Sequence, residues 1–315
     1  MGKSRGGIYY LTVFFQGFCI GIANAIPGIS GGTIAFIFGI YEELIDAIKS
    51  FDIKFIQLLM RFKIKDAFSL VSWKFLGVLV MGAITAILSL SHVITWLLKN
   101  EPVLINSFFF GLILATVPII GKVIKQWTLT KISAVILSAL LSYIICGMVP
   151  VSTPESVWFL FFSGAVSISS MILPGISGAF ILVLLGKYKF ILEAISSPFT
   201  SQHFIALFSF GMGILFGIVT FVRILSWLFH KYHDVTVAVL TGIVIGSLNK
   251  IWPWKKIIGV IETHHGKVIP VEQINIIPNY FNSEVFWAFI WMAIGFFLAI
   301  LLARLHPSQD SRFAR

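Results

Sequence analysis

Pro27-Gly28-Ile29-Ser30-Gly31-Gly32-Thr33 and Pro174-Gly175-Ile176-Ser177-Gly178-Ala179-Phe180 are two copies of one passage, set 147 positions apart. The match runs on without a gap, pairing Gly39 with Gly186, Tyr41 with Tyr188, Asp46 with Glu193, and Ala47-Ile48 with Ala194-Ile195. Ten of the 22 positions from Pro27 to Ile48 are identical, too many for an accidental pair of windows. A second gap-free block follows at an offset of 131, pairing Gly82 with Gly213, Trp96 with Trp227 and Gly111 with Gly242. A self-match on this scale marks a duplicated unit. Its expected halves are residues 1–150, with a hairpin tip at 27–32, and residues 151–315, with a tip at 174–179.

Both copies interrupt long apolar runs. The chain is 58% apolar and 11% charged, with mean hydropathy +0.97. A soluble domain carries about 25% charged residues, and about 20 apolar residues span a bilayer. The expected spans begin with Ile8 to Ile26, Thr33 to Ile48, Phe75 to Leu98, Val103 to Gly121 and Ile132 to Val149. The second half supplies Val157 to Leu173, Phe180 to Ile195, Phe204 to Phe229, Val235 to Leu248 and Val285 to Leu305. Lys3 and Arg5 precede the first run, which has no small-residue cleavage site and reads as a retained membrane segment. Phe51 to Trp73 mixes Lys54, Arg61, Lys63 and Lys65 with large apolar residues, as a helix lying on the membrane surface does. Lys250 to Asn282, with His264, His265, Pro270 and Pro278, is a polar insert of open structure.

Pro27 lacks an amide donor and disfavours helix just before it, and the glycines after it permit a sharp turn. Two helices joined there form either a re-entrant hairpin or two full spans. In both cases the chain returns to its starting side, and three further spans then deliver the second half to the opposite face. The expected fold is therefore an all-α polytopic membrane protein of two inverted-topology repeats, each a re-entrant hairpin plus three transmembrane helices. With the N-terminus inside, the cytoplasmic segments hold 15 Lys and Arg against 7 outside, as the positive-inside rule requires. An outside N-terminus with one extra reversal gives the same count. The net charge of +10 then reflects basic loops facing anionic lipid rather than nucleic acid. Cys19 and Cys146 lie in apolar runs and suit packing.

Inverted repeats with broken helices are the architecture of secondary transporters, with the site near the midplane. The second helix of each hairpin is expected to start just after Pro-Gly-Ile-Ser-Gly, so the amides of Ser30, Gly31, Gly32 and Thr33, and of Ser177, Gly178 and Ala179, are expected to face the tip unpaired. Such a terminus carries roughly half a positive charge and suits an anion, above all a phosphate. The competing account is that these glycines serve close helix packing. Arg223, within an apolar run, is the expected counter-charge, or else snorkels to the interface beside His230 and Lys231. His92 is its repeat mate and is as readily a packing residue. Asn24, Ser169 and Ser170 stand ready as extra donors, with Pro27, Gly28, Pro174 and Gly175 supporting the turns. Glu42, Glu43, Asp46 and Glu193 are candidates for coupling, or else pair with Lys49, Lys187 and Lys189. Gly28-Ile29-Ser30-Gly31 also matches the Gly-x-Ser-Gly of rhomboid-like proteases, which need a histidine beside the serine; His92 is the plausible one. A transporter of a small soluble anion would use the same tips. No ATP-binding loop, cofactor fingerprint or metal cluster is present in the sequence, so no cofactor is expected.

The doubled Pro-Gly-Ile-Ser-Gly, Gly39-Ile40-Tyr41-Glu42-Glu43-Leu44, and Ser226-Trp227-Leu228 leading to Gly246-Ser247-Leu248-Asn249-Lys250-Ile251-Trp252-Pro253-Trp254 resemble the PopT-type polyprenyl-phosphate transporters over nearly the whole chain. The resemblance implies a bacterial cytoplasmic-membrane translocase that returns undecaprenyl phosphate, the cell-wall lipid carrier, from the outer to the inner leaflet. It implies re-entrant hairpins in inverted repeats. The phosphate is then expected between Ser30-Gly31-Gly32-Thr33 and Ser177-Gly178, with Arg223 as counter-charge. Gly32-Thr33 becomes Ala179-Phe180 in the second copy, which is expected to make that tip drier.

Overall fold

A computed structural model describes residues 6–26, 28–262 and 268–305. Pro27 lies outside these residues, as do Lys3, Arg5, His264, His265, Lys267, Arg312 and Arg315. The described chain is a helical membrane protein, and six of its helices are long and apolar enough to cross a bilayer.

The first half runs through α1 (Gly7–Asn24), α2 (Gly31–Ile37) and α3 (Tyr41–Lys49). Two short helices follow, α4 (Ile53–Met60) and α5 (Ile64–Leu70), then the long α6 (Trp73–Asn100), α7 (Pro102–Gly121) and α8 (Leu129–Gly147). The second half runs through α9 (Val157–Ile172), α10 (Gly178–Leu184), α11 (Tyr188–Ser196), α12 (Ser201–Ser247) and α13 (Ser283–Leu305). A 3-10 turn, Leu248–Ile251, extends α12.

Three expectations are refined. The apolar run Thr33 to Ile48 is two helices, parted where Gly39 takes φ 66°, and its second copy parts at Gly186 with φ 65°. The surface segment Phe51 to Trp73 is α4 and α5, divided at Phe62 with φ 56°; only Phe55, Ala67 and Val71 are buried there. Ile53, Met60 and Phe62 are exposed, the apolar face that a membrane surface would cover. The runs Phe204 to Phe229 and Val235 to Leu248 are one helix bent at Tyr232 (φ −134°, ψ 46°). The polar insert, of open structure in the sequence, carries two strands: Lys255–Glu262 (β1) pairs antiparallel with Val268–Asn275 (β2).

Small residues set the packing. Gly17 abuts the main chain of Leu79 and Gly21 that of Ala83, so α1 and α6 lie side by side and run the same way. The second half repeats this, with Gly164 against Phe210 and Gly217 against Ala165, between α9 and the first stretch of α12. Because α1 ends three residues beyond Gly21, the chain turns back level with the middle of α6. The later helices exchange partners between halves. Gly111 of α7 packs on Met292 of α13, and its repeat mate Gly242 of α12 packs on Val135 and Ser138 of α8. Leu88, Leu137 and Phe297 on the outer faces are exposed, an apolar rim that suits lipid.

Candidate functional site

The two hairpin tips meet. In the first, Gly28 takes φ 89° and Ser30 caps α2, its Oγ accepting from Gly32 N at 3.2 Å. In the second, Gly175 takes φ 88° and Ser177 starts α10 with no side-chain cap bond. A side chain at φ near +89° is strained for any residue but glycine, which accounts for the residue at both turns.

Helix α9 ends at a proline, so its final carbonyls lack amide partners. The first hairpin supplies them. Ser30 Oγ donates to Leu173 O at 2.9 Å and lies 3.3 Å from Met171 O, and Tyr41 OH donates to Ile172 O at 3.0 Å. In return Gly175 N donates to Thr33 Oγ1 at 2.9 Å. Ser30 and Thr33 are fully enclosed.

These bonds alter the expectation for the first tip. Gly31 N donates to Asn24 Oδ1 at 2.9 Å, Gly32 N to Ser30 Oγ, and Thr33 N to Ser30 O at 3.0 Å. Three of the amides expected to be unpaired, those of Gly31, Gly32 and Thr33, are therefore satisfied by the chain itself, and Asn24 serves as acceptor rather than donor. The glycines also serve packing: a methyl group at Gly32 would lie 2.7 Å from Ile172 O, and one at Gly178 2.7 Å from Ser167 O. Ser169 and Ser170 bond back to Ala165 O and Ser167 O in their own helix.

The second tip is the open one. Ser177 is half-buried, Ala179 exposed, and Gly178 O accepts from Ser167 Oγ at 2.9 Å. Phe180, in the place of Thr33, does not make this tip a dry wall, because the Lys250 ammonium lies 4.4 Å above its ring. Lys250 also reaches the first tip, with Cγ 3.3 Å from where a methyl group at Gly28 would sit. Lys255 Nζ donates to Lys250 O. Burial, and then the neighbouring Lys250 charge, push the Lys255 ammonium down to about 8; the Cys146 thiol opposes this weakly.

Arg223 is exposed on α12, and among the described residues no hydrogen bond or ion pair ties it to either tip. His92, also exposed, lines an open hollow of about 610 Å³ with Thr95, Trp96 and Lys99 of α6. The acidic residues sit away from the tips. Glu42 pairs with His233 at 3.0 Å, Tyr9 OH donates to Glu43 at 3.0 Å, and Glu193 lies 3.8 Å from Lys189. Ser226 Oγ donates to Asp46 at 3.0 Å and accepts from Lys49 at 2.9 Å. Lys187 turns from these carboxylates to Thr153 O at 2.6 Å.

Sequence reasoning missed Tyr41, Lys250 and Lys255. A signal for Lys250 was present: at the offset of 131 it falls opposite Ile119, inside α7, so its place is within the equivalent helix rather than in an outer loop.

A family model described as "VCA0040-like: Undecaprenyl phosphate translocase-like" matches residues 20–269. The chain is 38% identical over 274 residues to a polyprenyl-phosphate transporter of Vibrio cholerae serotype O1, covering 87% of this chain and 88% of the relative. It is 29% identical over 255 residues to a polyprenyl-phosphate transporter of Staphylococcus aureus, covering 76% and 84%. No solved structure matches it.

Proposed function

The chain belongs to the undecaprenyl phosphate translocase-like family, and from that premise we propose that it carries undecaprenyl phosphate across the bacterial cytoplasmic membrane, from the outer to the inner leaflet. The observation that carries the reading is the meeting of the two tips, where Ser30 and Thr33 of one hairpin bond to Leu173 and Gly175 of the other. A polyprenyl tail can remain in lipid throughout; only the charged head group needs a path. Charge in the bilayer interior is costly unless polar groups receive it, and the paired tips offer such groups level with the middle of a spanning helix.

The halves, residues 1–150 and 151–315, are inverted in this reading, with both termini cytoplasmic. The basic loops and α4–α5 rest on anionic lipid. The phosphate is held by Ser177 and Gly178 at the second tip and, once the hairpins part, by Ser30, Gly31, Gly32 and Thr33 at the first. Exposed Arg223 is the cation a head group meets on its way in, rather than at the tips. Glu42 and Asp46 fasten α3 to His233 and Ser226 of α12, while Glu43 bonds Tyr9 of α1 and Glu193 pairs with Lys189 inside α11, so coupling to protons or ions would act through these contacts. The protein is a transporter and not an enzyme: Ser30 Oγ is engaged with Leu173 O and Gly32 N, an arrangement that suits a cap and not a nucleophile.

Leaflet-resolved transport of undecaprenyl phosphate in proteoliposomes tests the reading. Faster movement than in protein-free liposomes is expected for undecaprenyl phosphate and not for undecaprenol. Inorganic phosphate in excess should compete weakly; if it is itself carried while the lipid is not, the soluble-anion reading replaces this one. The triple variant Ser30→Ala, Ser177→Ala, Arg223→Ala should lose transport, and undiminished transport would remove these residues from the site.

A further inference from the structure

We propose that Lys250 and Lys255 form a cationic seat for a phosphate monoester between the two hairpin tips. This deepens the translocase reading and rests on it for the source of the phosphate.

Position is the first argument. The Lys250 stem lies against Gly28 of the first tip, where a side chain would crowd it, and its ammonium lies over Phe180 in the first turn of α10. Lys255 is tied to Lys250 through the Lys250 carbonyl. One residue thus touches both tips, and a second cation stands behind it.

The second argument is the missing counter-charge. Other lysines withdrawn from water have polar acceptors: Lys131 has Asp234 at 2.6 Å, Lys49 has Ser226, and Lys187 has Thr153 O. Lys255 has, among the described residues, only the Lys250 carbonyl, and Lys250 only the Phe180 ring. Among the described residues no carboxylate pairs with Lys250 or Lys255. The acids of the first hairpin lie away from the tips and are engaged elsewhere, Glu42 with His233 and Asp46 with Ser226. Two like charges, largely withdrawn from water and without an anion, are an unbalanced arrangement. The depressed Lys255 ammonium agrees with it. A ring face is a weak partner for the Lys250 ammonium and yields readily to an anion.

Third, the neighbouring donors are free to join. Ser177 makes no cap bond and Ala179 is exposed, whereas the first tip is capped by its own chain. A phosphate monoester carries close to two negative charges at neutral pH and three acceptor oxygens. Two lysines match the charge, and a serine hydroxyl matches an oxygen left over. Lysine binds phosphate as a point charge without requiring one fixed approach, which suits a ligand that must also leave.

The test uses the full wild-type chain in nanodiscs, with amine acylation of each lysine followed by mass spectrometry. Undecaprenyl phosphate should protect Lys250 and Lys255 by about tenfold while exposed Lys125 stays unchanged, and undecaprenol should protect neither. Lys250→Gln should weaken undecaprenyl phosphate binding about tenfold or more, with Lys250→Arg restoring most of it because the charge is kept. If wild type carries the lipid but neither undecaprenyl phosphate nor inorganic phosphate protects these lysines, the seat is wrong and the translocase reading stands. Protection by inorganic phosphate alone keeps the seat and overturns the lipid source. Protection is read on unaltered protein, so a poorly folded variant does not obscure the result.

Discussion

Ser30 Oγ in the first hairpin donates a hydrogen bond to Leu173 O in the second, across 2.9 Å and 143 positions of sequence. The same oxygen caps α2 by accepting from Gly32 N. One hydroxyl therefore both starts a helix and joins the halves. Its repeat mate Ser177 starts α10 without a side-chain cap bond, and among the described residues no bond from its hydroxyl reaches the first hairpin. The duplicated motif has divided its labour: one copy holds the tips together and the other is left open.

Ser30→Ala should accordingly cost far more stability than Ser177→Ala. Loss of a cap is worth about 1 kcal/mol, and a buried carbonyl left unpaired about 1–3 kcal/mol. Ser30→Ala should lose roughly 2–4 kcal/mol in all, and Ser177→Ala no more than about 0.5 kcal/mol, the usual range for a substitution away from such features. Thermal unfolding of the purified proteins in one detergent measures the difference. Equal losses would mean that the inter-hairpin bond contributes nothing.

Gly28→Ala and Gly175→Ala separate backbone strain from crowding. Both positions have φ near +89°, so either alanine should cost about 1–2 kcal/mol. At Gly175 the new methyl would also lie 2.5 Å from Ser247 Oγ and 3.2 Å from Val244 Cα, whereas at Gly28 it meets the flexible Lys250 stem at 3.3 Å. Gly175→Ala should therefore unfold at the lower temperature of the two. Identical melting would mean that Ser247 moves aside at no cost.

Much of this was legible in the sequence, and what was not has physical causes. The hairpins, their turns and the long spans follow from proline, glycine and apolar runs, which act locally. The pairing of α7 with α13 and of α8 with α12 is a matter of tertiary packing, and no periodicity announces it. Arg223 was read from its position along a helix, but the face it occupies is set by Val222, Leu225 and Ser226, which turn inward beside it. Lys250 was read as the start of a polar insert because it follows an apolar run. The bend at Tyr232 makes the second stretch of α12 short, so its last turn ends at the tips. The amides of the first tip were expected to be bare because nothing in a linear reading shows that Asn24, seven residues back, folds over Gly31.

Two ion pairs near the Tyr232 bend should differ in strength. Lys131 and Asp234 lie 2.6 Å apart with side chains only 14% and 18% exposed, while Glu42 and His233 are 32–33% exposed. Removing one partner of an enclosed pair strands the other charge, a cost of about 3–5 kcal/mol when burial is complete. Asp234→Asn should lose about 2 kcal/mol, since Lys131 keeps Gln126 O and some solvent. Glu42→Gln should lose less than about 1 kcal/mol. Chemical denaturation of both variants checks the order, and a larger loss for Glu42→Gln would reverse it.

The Lys255 ammonium supplies a pH signature for phosphate binding. Its ordinary value of 10.5 is lowered to about 8, first by burial and then by the charge of Lys250, with Cys146 the other titratable neighbour. The group is mostly charged at pH 7 and mostly neutral at pH 9. A phosphate monoester has its second ionisation near pH 6, so the ligand's charge changes little over that range while Lys255 loses its proton. Undecaprenyl phosphate affinity should therefore fall as pH rises through about 8, by up to about tenfold between pH 7 and pH 9 for a single proton lost. Stability of the unliganded protein should move the other way. The folded state holds fewer protons than the unfolded one between about pH 8 and 10.5, so stability rises with pH across that window. Lys255→Arg keeps its charge throughout and should flatten the binding profile, and Cys146→Ser tests whether the thiol shares the titration. A wild-type affinity that is level from pH 7 to 9 would take Lys255 out of the phosphate's reach.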